Sequence, residues 1–206
     1  MSEELMAPGG ADEVMRALSG LAEYTVMAAS SGPDGLVIDV IASRREAPCP
    51  VCGVFWGRVK SYRASIATHA PAQGRSCRLR VVKRAFYCDT PGCERKTFTQ
   101  STDEVPATAR VSSRCRAVMG RAGRDRSTAS VASEFGVSWP TAWRAISAAA
   151  HAAIAQRPPN RAPRRLGLDE TRFWWRRPWL TGLVDLDTGE VIDIVEGRSA
   201  AAVEAW

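Results

Sequence analysis

Two short stretches decide the fold: Cys49-Pro50-Val51-Cys52-Gly53 and, after an interval of 35 residues, Cys88-Asp89-Thr90-Pro91-Gly92-Cys93. A Cys-x2-Cys knuckle sets two thiols about one tetrahedral edge apart, and the glycine behind it lets backbone amides approach the sulfurs. Pro-Gly inside the second pair makes a wider turn with the same effect. Cys49, Cys52, Cys88 and Cys93 therefore read as a zinc site, structural rather than catalytic because four thiolates leave no open coordination position. A redox dithiol at Cys49 and Cys52 is the competing reading, but that motif opens a helix between strands, a context the pattern lacks. Cys77 in a strand and Cys115 in a helix read as small buried hydrophobes. His69, in a Pro-rich stretch, reads as a surface residue.

The interval between the pairs holds two strand-like runs, residues 61–66 and 77–84, and so an inserted β-hairpin. Its second strand carries Arg78, Arg80, Lys83 and Arg84, expected to face phosphates while zinc holds the hairpin rigid. The charge distribution supports this. Residues 1–43 carry a net −6, residues 44–165 a net +16 and residues 166–206 a net −4, within a total of +6. A basic middle between acidic ends is the footprint of a polyanion-binding region. A GC-rich genome would explain 25 Arg against 3 Lys, but not the scarcity of acids in the middle.

Upstream, residues 12–22 predict a short helix capped by Asp12, followed by strands at 24–29 and 36–42 joined by Ser31-Gly32-Pro33-Asp34-Gly35. Downstream, residues 107–156 are helical in pattern. Within them Val131, Ala132 and Phe135 share one face, Gly136 offers the positive φ of a tight turn, and Val137 plugs the core. Ser138 caps the next helix, with Pro140 in its first turn and Ala142 and Ile146 facing inward. This is the pattern of a helix-turn-helix, although an ordinary helical hairpin can imitate it. Trp139, Thr141, Trp143 and Arg144 are left outward as DNA contacts, Thr141 and Arg144 foremost for the groove. Three prolines within residues 157–165 forbid a helix and mark a linker. Residues 166–206 return to strand patterning: Leu166 to Glu170, a hairpin turning at Asp187-Thr188-Gly189, and a helix capped by Ser199.

The expected fold is thus α+β and multi-module. It comprises an N-terminal helix and hairpin over 1–47, a four-cysteine zinc module over 48–105 and a helical domain over 106–156. A linker over 157–165 and an α/β segment over 166–206 follow. No run of about 18 apolar residues suggests a membrane span, and the acidic start lacks a secretory pattern, so a cytoplasmic protein is expected.

The order of these motifs resembles the insertion-sequence-L-three family of bacterial transposases. The residues that carry the resemblance are Cys49-Pro50-x-Cys52-Gly53, the stretch from Arg84 through Cys88 and Cys93 to Phe98, and the helix-turn-helix. Gly167-Leu168-Asp169-Glu170, Leu183 to Gly189 and Gly197-Arg198-Ser199 complete it. The resemblance implies an RNase H-like start over 166–206, with Asp169 as the first acid of a metal-binding triad, and Mg2+ for the complete family enzyme. It also implies double-stranded DNA at transposon ends as partner, and self-association is compatible with it. The family's later acids lie beyond the hairpin, so a truncated enzyme is expected, one that finds DNA without cutting it. Asp185, Asp187 and Asp193 read as solvated strand and turn acids rather than substitutes. A zinc-dependent transcriptional regulator is the alternative, though it has no need of the Asp169 segment. An RNA-binding protein would require several aromatics on one sheet, which the pattern does not provide.

Overall fold

The computed structural model describes residues 20–72, 74–157, 162–172 and 175–206. The expected helix over 12–22 lies almost wholly outside them. The chain forms two compact units, Met1–Ala155 and Gln156–Trp206.

The first unit is built on a five-stranded sheet of order β1-β2-β6-β5, with β7 pairing the end of β6. Strands β1 (Tyr24–Gly32) and β2 (Gly35–Ala42) form an antiparallel hairpin, and β5 (Val59–Ala72) and β6 (Arg75–Tyr87) a much longer one. β2 and β6 then pair in parallel, from Leu36 opposite Cys77 to Ile41 opposite Val82. This pairing places Ile38 beside Leu79 and Val40 beside Val81. All four are buried with Leu21, Tyr24, Ala67 and Val105 in one core. The sheet therefore crosses the boundary expected at residues 47/48. Period-two alternation gives both hairpins an apolar face, and joining edge to edge lets one core cover both.

The crossover from β2 to β5 contains two short paired strands, β3 (Ala47–Pro48) and β4 (Phe55–Trp56). Strand β7 (Thr97–Thr99) lies against Ala85, Phe86 and Tyr87. Around them Ala47, Phe86 and Phe98 bury a small second core with the cysteines.

Among its described residues the unit adds three helices: α1 (Ser113–Ala122), α2 (Thr128–Phe135) and α3 (Trp139–Ala155). Ser112 caps α1 by accepting from the Cys115 amide, and Ser127 caps α2 by accepting from the Ser130 amide. Gly136 ends α2 at φ 60°, ψ 37°, and the Val137 amide returns to the Ala132 carbonyl at 3.0 Å. That left-handed residue turns the chain within three positions, as glycine permits. Val131, Ala132, Phe135 and Ala142 are buried together with Cys115, Met119 and Ala145. Helix α1 approaches α3 closely because Gly120 and Gly123 face Ala149 and Ile146 without a Cβ of their own.

The helices meet the sheet near the tip of the β5–β6 hairpin, where Thr68 bridges Val111 and the Ser112 amide donates to the Thr68 carbonyl at 2.9 Å. His69 belongs to this joint. It is only 4% exposed, with Nδ1 2.8 Å from the Ser112 hydroxyl and 3.7 Å from Glu104, so the expected surface loop is in fact a buried part of β5. The local Pro/Gly composition concealed a strand whose inward positions continue from Ala67 to His69.

The second unit is a three-stranded antiparallel sheet of order β10-β9-β8. Its strands are β8 (Leu166–Thr171), β9 (Leu180–Asp185) and β10 (Glu190–Glu196), followed by a short helix, α4 (Ala200–Glu204). Gly189 takes φ +74° in the β9–β10 turn, and Ser199 caps α4. Arg157, expected in the linker, instead donates to the Val191 and Ile192 carbonyls at 2.7 and 2.9 Å.

Candidate metal centre and nucleic-acid interface

The four cysteines of the two knuckles converge. Cys49 and Cys93 have their sulfurs 4.0 Å apart, Cys52 and Cys88 3.7 Å, and all four sulfurs lie within 4.8 Å of one another. A tetrahedral ion with metal–sulfur bonds of about 2.3 Å has sulfur–sulfur edges of about 3.8 Å, so the cluster has the dimensions of a four-thiolate metal site. Each knuckle builds its half locally. The Cys49 amide donates to the Val54 carbonyl and the Gly53 amide to the Cys49 carbonyl, both at 2.9 Å, with Gly53 at φ +72°. On the other side the Cys88 amide donates to the Lys96 carbonyl at 3.0 Å and Gly92 takes φ +76°. Asp89 anchors that loop through Arg58, whose Nε donates at 3.0 Å and whose guanidinium lies 4.2 Å over the Tyr87 ring.

The thiols do not behave alike. The Thr90 hydroxyl and the Val54 amide hold Cys52 down to about 6. Burial opposes ionisation of Cys49, but the amides of Cys52 and Val51 outweigh it and hold this thiol low too. At Cys93 the Arg95 amide favours the thiolate, yet burial and the three neighbouring sulfurs push the group up to about 12. Sulfurs this close resist carrying four negative charges together unless a cation balances them. The donor set and its geometry suit a metal ion such as zinc. Cys77 and Cys115 are buried outside this cluster, and burial raises both, Cys115 to about 12. Among the described residues the four cysteines are the only group of three or more His, Cys, Asp or Glu ligands placed this closely.

The basic hairpin is used differently from the expectation. Lys83 continues the inward row of Cys77, Leu79 and Val81, is 6% exposed, and donates to the Pro106 and Ala107 carbonyls at 2.9 and 2.8 Å. Burial lowers its pKa. Arg84 is 9% exposed and donates to the carbonyls of Ala42 and Arg44 at 2.8 and 3.0 Å. Neither side chain is available to a phosphate. Arg80 is exposed but holds Asp39 in a two-pronged pair at 2.5 Å, which raises the arginine and lowers the carboxyl. Arg78 is exposed, with no carboxylate paired to it among the described residues.

Helix α3 gathers the remaining site residues. Trp139 and Trp143 stack with centroids 5.7 Å apart and planes 11° from parallel, and each is about half exposed. Arg144 is exposed, and Thr141 is half-buried with its hydroxyl 2.9 Å from that of Ser138. On their other flank Thr141 and Arg144 line a cleft of about 650 Å³ together with Arg110 and Arg116. Among the described residues no acid lines this cleft, and α3 contains none. Arg110 and Arg116 stand in an arginine-rich stretch of the sequence, but nothing in that stretch tells of a shared cleft. That required locating α1, whose closest packing positions are glycines and therefore give little hydrophobic signal.

Asp169 lies in β8 opposite Gly182, on an edge strand, and is exposed. The three other aspartates of this unit have local partners. Asp187 pairs with Arg165, Asp185 accepts from the Asp187 amide at 2.8 Å, and Asp193 accepts from the Trp206 indole at 2.9 Å. Between Thr171 and β9 the chain is rich in Arg and Trp, a feature the sequence reading passed over; Arg172 and Arg198 flank the Trp179 ring at 5.8 and 4.7 Å.

No protein-family model matches the chain, and neither curated proteins nor solved structures gave a match. No described helix is long and apolar enough to cross a membrane.

Proposed function

We propose that this chain binds double-stranded DNA, with α2, the Gly136 turn and α3 acting as a helix-turn-helix and a zinc ion in the four-cysteine cluster stabilising the attached sheet. The observation that carries this reading is the exposed face of α3. It presents Trp139, Trp143 and Arg144, beside a cleft bearing Arg110 and Arg116, with no acid on the helix. A recognition helix enters the major groove by its N-terminal half, where these residues lie, while flanking cations hold phosphates and fix its register.

The wider reading is a transposase-type protein, supported by the resemblance of the motif order and by Asp169 in a strand followed by a hairpin. Strand cleavage is not part of the proposal. A two-metal site needs several carboxylates around the scissile phosphate, and among the described residues no group of three ligands forms around Asp169.

The test is fluorescence anisotropy of the zinc-loaded chain with a duplex enriched from a random pool and with an unselected duplex. Arg144→Ala is expected to weaken binding to the enriched duplex by about 1–3 kcal/mol, and less to the unselected one. Equal loss on both would make Arg144 a phosphate contact. Undiminished binding to both would remove α3 as the reading element.

A further inference from the structure

We infer that the stacked Trp139–Trp143 pair is an apolar reader of thymine, packing against the C5-methyl groups that thymines present in the major groove; this rests on the helix-turn-helix reading above.

The pair has no evident role in the fold. The helical core takes Ala142 and Ala145 from α3, with Ile146 packed against it, whereas Trp139 and Trp143 remain 51% and 49% exposed. Spaced four apart, they stand one above the other on a single stripe of the helix, and they stack with centroids 5.7 Å apart. Two large apolar groups thus stand side by side, half exposed, on the first two turns of α3.

The surroundings indicate what covers them. Arg144 lies on the same exposed arc, Arg110 and Arg116 lie along the far flank of α3, and the one acid of α2, Glu134, is paired with Arg126. An apolar stripe beside arginines that no carboxylate pairs with among the described residues suits a polyanion that displays apolar groups at the depth a helix reaches. In duplex DNA the thymine methyl is that group. Arg144, about 100° around the helix from Trp143, would address a neighbouring base or phosphate rather than the same methyl. The competing occupant of such a stripe is a second copy of this chain.

Substituting deoxyuridine for thymine separates these possibilities, because it removes the methyl and leaves every hydrogen-bonding group in place. A duplex is enriched from a random pool on the zinc-loaded chain, and its thymines are replaced one at a time. Binding is followed by anisotropy, and self-association by sedimentation. At one or two positions the unaltered chain is expected to bind about three- to fivefold more weakly, the equivalent of one methyl left in water. Trp143→Ala should bind the thymine and uracil duplexes equally, while Arg144→Ala should keep the discrimination. Trp143→Phe, which retains an apolar ring at a half-exposed position, should keep part of it and guards against a folding defect in the alanine variant.

Enrichment without any uracil effect overturns the inference and leaves DNA binding intact. Discrimination that survives in Trp143→Ala overturns it too, as does a dimer that dissociates on Trp143→Ala while DNA discrimination is unchanged. Failure to enrich any duplex overturns the DNA reading itself, and this inference with it.

Discussion

The sulfur of Cys52 and that of Cys115 sit in the same chain under opposite influences. The Thr90 hydroxyl and the Val54 amide hold the first down to about 6, while burial pushes the second up to about 12. A thiol reacts as its thiolate, so reactivity follows both ionisation and access. After metal is stripped at pH 7.5, iodoacetamide should modify Cys52 first and leave Cys77 and Cys115 unmodified, as peptide mass mapping would show. Lowering the pH through about 6 should suppress the Cys52 reaction. With zinc bound, all four cluster thiols should be protected. Uniform labelling of all six cysteines would mean that the cores around Cys77 and Cys115 do not form. At this scale the sequence was most legible for the cysteine ligands, whose spacing is itself the site. It misled for Lys83 and Arg84. A charged residue at an inward strand position looks the same in sequence whether it meets phosphate or a pair of carbonyls, and the partners here, Pro106, Ala107 and Ala42, are far from it along the chain.

Helix α1 shows how an element is positioned by what its residues lack. A Cβ on Gly120 would lie 2.5 Å from the Ala149 methyl and 3.3 Å from the Ala145 carbonyl oxygen. Gly120→Val must therefore separate α1 from α3, and overpacking of this kind costs about 1–3 kcal/mol, of which the better helix propensity of valine than of glycine offsets a few tenths. Urea denaturation should show a stability loss of that size, read from a lowered midpoint at unchanged slope, with weaker DNA binding because Arg116 moves away from Arg144. An unchanged midpoint would mean that the helices are not in this contact. The turn between α2 and α3 could be read in advance because Ser127, Gly136 and Ser138 act on their immediate neighbours. The parallel pairing of β2 with β6 could not. It joins residues about 40 apart, and nothing in either strand distinguishes an edge awaiting a parallel neighbour from one facing water.

Across the first unit, the metal cluster and the joint with the helices lie towards opposite ends of the β5–β6 hairpin. Cys88 follows the base of β6, whereas Thr68 meets the helices near the tip. The stretch from Val59 to Thr68 spans about 30 Å, so a bound ion would influence DNA recognition only through the sheet between them. The same arrangement bears on how the chain reaches its structure. The parallel β2–β6 pairing encloses a long crossover, and such non-local pairings form slowly because the intervening chain must be ordered before contacts reward it. Cys49 lies within that crossover and Cys93 just beyond β6, 44 residues apart, so an ion held by both would tie the crossover to the far end of the strand it must accompany. Zinc present from the start of refolding should therefore act as a kinetic clasp. Stopped-flow tryptophan fluorescence should show a faster main phase with zinc than with chelator, and zinc added after the slow phase should not recover the difference. Equal rates would place metal capture after the sheet has closed, making the ion a lock on a finished structure rather than a participant in its assembly.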